Sequence, residues 1–531
     1  MTTQDRKTGP RRLLTGVAAA ALSLVFVSAP ASSETLRVVM QSGLRITDPI
    51  MTTAFITRDH GYMIYDTLLG VDSDFNIQPQ MADWEVSDDD KTYTFTLRDD
   101  LKWHDGAAVT AEDAVASINR WAEIDSTAKP LMDMVDTIEI VDDKTFTVAL
   151  KTPTTLLLAG LSKMSSRAPF IMPKRVAETP ASQPIDEFTG SGPFVFVEDE
   201  FRPGVKVVYE KFEDYVPRDE PASWTAGGKD VKVDRVEWLT MPDQMTAVSA
   251  LQSGEVDFIQ QVPFDLLPLV ENAPEITVDI LDPLGAWTYF RMNWLHPPFD
   301  NKLVRQAAIA AVDQTAVMQA LVGNPDYYQT CAAIMGCGNV NGDEYGRDWV
   351  VNAQLDKAKA LLAEAGYDDT PVVIMAPTDL AMVVPQPIVI GDALRKAGFN
   401  VQMKMMDWQT LAAQQSNQDA PSQGGWNIFS TYSILATSGD PFGNTPLATD
   451  GRESWAGWPD VPEISALRIA YAKASSVDEQ KQIAKKIQKI AVDEGVVGPL
   501  GQFRIPAAWN TQWSGFLESP ITVFWNISKD G

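Results

Sequence analysis

Cysteine and histidine are nearly missing from this sequence, with two cysteines and three histidines among 531 residues. His60, His104 and His296 lie far apart, so no local His/Cys grouping of the kind that holds zinc or an iron–sulfur cluster is present, and no metal or other cofactor is expected. Positive charge is scarce as well: 43 Lys and Arg stand against 71 Asp and Glu, a net charge of -28. No Lys/Arg run follows residue 12 that could track a phosphate backbone, which argues against nucleic-acid binding. After residue 31 no apolar run reaches the ~20 residues of a membrane-spanning helix without charges or prolines, so direct membrane insertion is not expected. Catalytic signatures are lacking too. The chain has no G-x-S-x-G elbow, no H-E-x-x-H and no calcium loop, and "AGGKD" around Gly227 and Gly228 lacks the spacing of a P-loop.

What is present is an ordinary globular composition, 45% hydrophobic and 21% charged, in a chain several times longer than a ~150-residue domain. At the N-terminus, Arg6, Lys7, Arg11 and Arg12 precede the apolar stretch Leu13 to Val27 and the small-residue site Ala29-Pro30-Ala31. Residues 1–31 therefore read as an export signal. The "RRLLTG" pair fits the twin-arginine route, with the general secretory route as the alternative. No cysteine sits at the cleavage site to take a lipid anchor, so a protein free in a bacterial periplasm is expected. That compartment permits a disulfide between Cys331 and Cys337 of "CAAIMGCG", the alternative being two separately buried thiols.

Along the body of the chain, Leu36 to Met40 reads as a strand and the segment through Gly61 to Leu69 as a helix. "DDKTYTFTLR" and "DDKTFTVALK" are near-copies whose alternating apolar residues predict two half-buried antiparallel strands. Between them, Thr110 and Asp113 predict a capped helix carrying Ala114, Val115, Ile118 and Trp121 on one face. Further on, Asp300 can cap a helix, and Gly366 and Gly398 can end two others. The strands "PVVIMAP" and "VQMKMMDW" flank the second of these as a βαβ unit, which predicts a doubly wound lobe.

Several strings, taken in order, resemble the extracytoplasmic solute-binding proteins of family 5, which serve ABC importers of peptides, nickel and related solutes. They are "YDTLLGVDSDFNIQPQMADWEVSDDDKTYTFTLRDDLKWHDGAAVTAEDAVASINRW", "GSGPFVFVE", "ALQSGEVDF", "PPFDNKLVRQAAIAAVDQTAVMQAL", "AKALLAEAGY" and "VGPLGQF". The resemblance implies an α/β, two-lobed periplasmic-binding-protein fold, type II and cluster C-like, with an extra small α+β domain. The first lobe would comprise 32–69, 186–285 and 507–531, the small domain 70–185, and the second, ligand-binding lobe 286–506. It implies a monomer that captures a solute without altering it and hands it to a permease and, through it, an ATPase. A secreted hydrolase using carboxylates across the same cleft is the rival reading.

Family receptors for dipeptides hold the ligand's amino group with an Asp just ahead of a D-P pair, and its carboxylate with an Arg after the first strand of the βαβ unit. Here the pair is Asp440-Pro441 but Thr437 stands three residues before it, and the loop Thr378-Asp379-Leu380 has no Arg. The expected site is therefore Asp379 and Asp440 with Trp408, Tyr432 and Trp455, facing Asp48 and Trp287. Such a set suits a cationic or polyhydroxylated solute.

Overall fold

The computed structural model describes residues 34–474 and 476–529; the expected export segment lies outside them. Two large sheets dominate. The first has seven strands in the order Phe194–Phe196, Lys206–Lys211, Arg235–Leu239, Thr35–Val39, Phe258–Ile259, Ala507–Asn510 and Ile276–Asp279. Thr35–Val39 runs parallel to both its neighbours and the remaining pairs are antiparallel. The second has six strands in the order Tyr328–Gln329, Gly498–Phe503, Ala286–Met292, Ile428–Ile434, Val372–Pro377 and Val401–Met406.

In that second sheet the helix Pro385–Ala397 joins two parallel strands, and Gly398 ends it at a φ of 105°, a left-handed conformation suited to glycine. The sheet is nonetheless mixed rather than doubly wound. Ala286–Met292 and Gly498–Phe503 adjoin the chain's crossings from and to the first sheet, at 280–285 and 504–506, and pair antiparallel. Asn301, not Asp300, caps the helix Lys302–Ala311, its side chain accepting from Leu303 N at 2.9 Å.

A third sheet, of four antiparallel strands, takes the order Ala82–Val86, Thr92–Leu97, Thr145–Leu150 and Val135–Ile140. Its two central strands are the near-copies, and their matched alternation sets Phe95 opposite Phe146, stacked at 5.1 Å between ring centroids. The helix Ala111–Ile124 covers this sheet. Thr110 and Asp113 close a reciprocal capping box at its start, and Ala114, Ile118 and Trp121 enter the core.

The first helix spans Phe55–Ile64 and stops short of the expected Leu69. Tyr65 is extended, and the Ile64 carbonyl accepts from Gly192 N of the "GSGPF" loop at 3.0 Å instead of continuing the helix. This helix is buried on nearly every side, and its charged residues are paired inside it: Arg58 donates to Asp59 at 2.6 Å. Cys331 and Cys337 are joined as a disulfide. Among the described residues no helix is long and apolar enough to cross a membrane.

Candidate functional site

Between the two large sheets lies a cavity of about 70 Å³, room for roughly five water molecules. Gln41 and Phe55, from the segment after the first sheet's central strand, form one wall. Tyr289 and Tyr432 on the second sheet, with Trp408 and Trp455, form the opposite wall. A third side comes from Asp125 and the loop 163–167, which adjoin the four-stranded sheet.

Of the residues expected from sequence, Trp408, Tyr432 and Trp455 meet at this cavity. The other four lie elsewhere, each for a physical reason. Asp48 is buried in an ion pair with Arg120 at 2.7 Å and also accepts from Ile185 N at 3.0 Å, so its carboxylate is committed to the interior. Trp287 is buried and stacks on Tyr289 at 4.2 Å; Tyr289, two residues on along the same strand face, takes the cavity position. Asp379 accepts from Trp408 N at 2.6 Å, pinning the start of the helix that carries Trp408, and lines a separate groove with Thr378. Asp440 accepts from Phe442 N and Gly443 N, both at 2.8 Å, as a turn-forming residue, and lines an adjoining cavity. Burial raises the pKa of both Asp379 and Asp440 above the usual carboxylate value.

The charged residues at the cavity are ones that sequence reasoning missed. Lys163 is paired with Asp125, and Asp125 is further held by Thr127 N and Ala128 N at 2.9 and 3.1 Å. Arg167 has no such partner. Among the described residues its guanidinium makes no hydrogen bond or ion pair, and its Nε is buried unsatisfied. Burial pushes this guanidinium below its ordinary pKa, with Asp125 opposing. The charges at the cavity therefore leave one uncompensated cation, the reverse of the acidic site expected from Asp379 and Asp440.

The backbone holds Arg167 in place at a cost. Its φ is 58°, the left-handed region that residues with a Cβ adopt rarely. Two tethers keep it there: Trp121 Nε1 donates to the Arg167 carbonyl at 2.9 Å, and Ser166 Oγ donates to the Thr53 carbonyl at 2.6 Å. A strained residue fixed from both sides at a cavity is the pattern of a pre-organised recognition group.

The two large sheets also touch directly across the cavity. Tyr432 OH donates to Gln41 Oε1 at 2.7 Å and accepts from Gln261 Nε2 at 2.9 Å, and its ring meets Phe55 edge-on at 5.5 Å. Nearer the surface, Arg45 pairs with Asp407 at 2.9 Å. Both contacts join residues that sit on opposite sides of the two chain crossings.

Two sheets linked by two crossings and enclosing a polar, ring-lined cavity describe a receptor built from two lobes, and known structures share this fold. One is the periplasmic binding protein AgaA from A. tumefaciens R10, solved with agropinic acid (TM-score 0.78, 24% identity, covering 94% of this chain and 99% of that one). Another is DppA from Helicobacter pylori, solved with the peptide STSA (TM-score 0.78, 20% identity, covering 94% and 98%). In sequence, the chain is 40% identical over 506 residues, 94% of each protein, to a probable peptide ABC transporter periplasmic-binding protein of Sinorhizobium fredii. The family model for bacterial extracellular solute-binding proteins, family 5 Middle, matches residues 76–454. The chain belongs to the bacterial extracellular solute-binding proteins of family 5. Membership weighs against the hydrolase alternative, since the members of this family are binding proteins.

Proposed function

We propose that this chain is the periplasmic substrate-binding component of an ABC importer, and that it captures a small carboxylate-bearing solute, peptide-class or related, between its two lobes. The observation that carries the reading is Arg167: among the described residues, a half-buried guanidinium with no hydrogen-bond or ion-pair partner and a buried Nε, on a strained backbone, at the interlobe cavity of a chain with a net charge of -28. A planar guanidinium matches a carboxylate with two parallel hydrogen bonds, and Trp408, Trp455 and Tyr289 offer rings to cover the solute's apolar part. The similarity to a probable peptide transporter protein, and to a structure that holds agropinic acid, supports an acid as cargo. Among the described residues, the first lobe takes in 34–69, 186–285 and 507–529, the small domain 70–185 and the second lobe 286–506, joined through the crossings 280–285 and 504–506. A solute favours closure only by binding the closed arrangement better than the open one. The closed monomer then passes its unaltered cargo to a membrane permease driven by a separate ATPase.

Native mass spectrometry of protein isolated from a periplasmic extract identifies the cargo, and thermal unfolding with acids paired with their primary amides tests its chemistry. A ligand with micromolar affinity, supplied at millimolar concentration, stabilises by about 4 kcal/mol. Acids are expected to stabilise and their amides not to. Equal stabilisation by both members of each pair overturns the role of Arg167, and recovery of a converted product overturns the receptor reading.

A further inference from the structure

A second cavity of about 70 Å³ lies beside the two crossings between the sheets and shares Gln41, Phe55 and Tyr432 with the first. Arg58 lines it with a side chain that is 3% exposed. Arg58 Nε and Nη2 both donate to Asp59 Oδ1, at 2.9 and 2.6 Å, and the guanidinium lies 4.6 Å from the Phe55 ring centroid, while among the described residues Nη1 is buried without a hydrogen-bond partner. The second oxygen of Asp59 accepts from Gln260 Nε2 at 3.3 Å. Asp282 lines the same cavity from the crossing 280–285. One of its oxygens accepts from Leu284 N at 3.1 Å, and among the described residues no cation pairs with it. Burial raises the Asp282 pKa to about 6, with its backbone hydrogen bonds and Arg58 opposing. Ser519, Thr522 and Gln261 add neutral polar groups.

Arg58, whose Nη1 is an unsatisfied donor, and Asp282, an acceptor with spare capacity, thus line one small cavity. A carboxylate there would satisfy Arg58 Nη1 but meet Asp282 as a like charge. An ammonium would satisfy Asp282 but meet Arg58. A hydroxyl serves both, because its oxygen accepts from Nη1 while its proton is donated to the Asp282 carboxylate. We propose that this cavity is a second subsite of the same solute site, reading a hydroxyl of a carboxylic acid whose acid end is held by Arg167. The cargo class is then a hydroxylated carboxylic acid lying along the shared wall of Tyr432, Phe55 and Gln41. This inference rests on the reading of the Arg167 cavity given above.

Calorimetric titration of the full mature chain with three acids of equal carbon count, hexanoate, 6-aminohexanoate and gluconate, tests it. Gluconate is expected to bind about tenfold or more tighter than the other two, the worth of a hydrogen bond to a charged group. Asp282→Ala is expected to weaken gluconate about tenfold and leave hexanoate unchanged. Asp282→Asn, which keeps a carbonyl acceptor and the local turn, should lose less and guards against a folding defect in the alanine variant. If gluconate and hexanoate bind alike, both weakened by Arg167→Gly and neither by Asp282→Ala, the second subsite is overturned while the Arg167 reading stands. A preference for 6-aminohexanoate that depends on Asp282 overturns the hydroxyl assignment in favour of a cation. No binding of any of the three overturns both readings.

Discussion

Replacing Arg167 by glycine is expected to separate recognition from folding, because the two effects differ in sign. At a φ of 58°, a residue with a Cβ carries roughly 1 kcal/mol of backbone strain that glycine does not. Removing a buried, unsatisfied Nε relieves a desolvation penalty of about 1–3 kcal/mol. Against these stand the greater freedom of glycine in the unfolded chain, about 0.5–1 kcal/mol, and the lost packing of the side-chain stem, on the order of 1 kcal/mol. The net change in stability should therefore be small and on the stabilising side, so thermal and urea midpoints should hold or rise slightly. Binding should respond in the opposite direction. A bidentate bond to a carboxylate is worth about 1.5–3 kcal/mol, which corresponds to a loss of roughly 10- to 150-fold in affinity for acids. The assay is calorimetric titration of wild type and variant with acid and amide pairs, alongside urea unfolding of both proteins. A fall in stability of about 3 kcal/mol or more, with the preference for acids intact, would show that Arg167 is a structural residue and refute the reasoning.

Three further outcomes follow from buried groups away from the cavity. Lys229 and Asp66 form an ion pair at 2.7 Å with side chains 0% and 1% exposed, so Lys229→Met, which strands the carboxylate, should cost about 3–5 kcal/mol in urea unfolding; the double change with Asp66→Asn should recover part of that loss, and additive losses would refute the pairing. Burial lowers the pKa of His60 to about 3 and of His104 to about 4, whereas in the unfolded chain each titrates near ~6.5. Between those values the unfolded state binds the extra protons, so stability is complete above about pH 6.5 and falls on acidification by up to roughly 1.4 kcal/mol per pH unit and histidine; urea midpoints unchanged down to about pH 5 would contradict this. A Cβ added at Gly190 would lie 1.6 Å from the Ile64 carbonyl oxygen, in the loop where Gly190 N donates to His104 Nδ1 at 3.2 Å. Gly190→Ala should therefore cost more than about 4 kcal/mol or prevent folding, and a variant with a wild-type melting curve would show that the loop can move aside.

Structure was legible from sequence where the signal closes within a few residues. Thr110 and Asp113 cap each other, Gly366 and Gly398 take left-handed C-terminal positions, and the two near-copies pair face to face because their alternation is the same. The acids Asp379 and Asp440 lie outside the interlobe cavity because their carboxylates are taken up by backbone amides. Asp440 spends its acceptor on amides two and three residues away, and Asp379 on Trp408 N, 29 residues on, at the start of the helix Trp408–Gln414. Asp48 shows the opposite limit, since its partner Arg120 is 72 residues away on a helix whose pattern reads only as apolar. The rings line the cavity from three different elements, Trp408 at a helix start, Tyr432 within the strand Ile428–Ile434 and Trp455 in a loop, whereas Trp426 and Trp458 pack in the core. Arg167 could not be read this way, because nothing in "SSRAP" distinguishes it from a surface arginine. Its importance rests on what is absent around it once distant segments are assembled. In a chain with 71 acidic residues against 43 basic ones, leaving a half-buried guanidinium without a carboxylate requires its surroundings to be cleared of acids. The one acid beside it, Asp125, is committed to Lys163 and two backbone amides. Such clearance costs stability and offers the fold nothing in return, which is why, in the proposed function, the compensation falls to a negatively charged group of the solute.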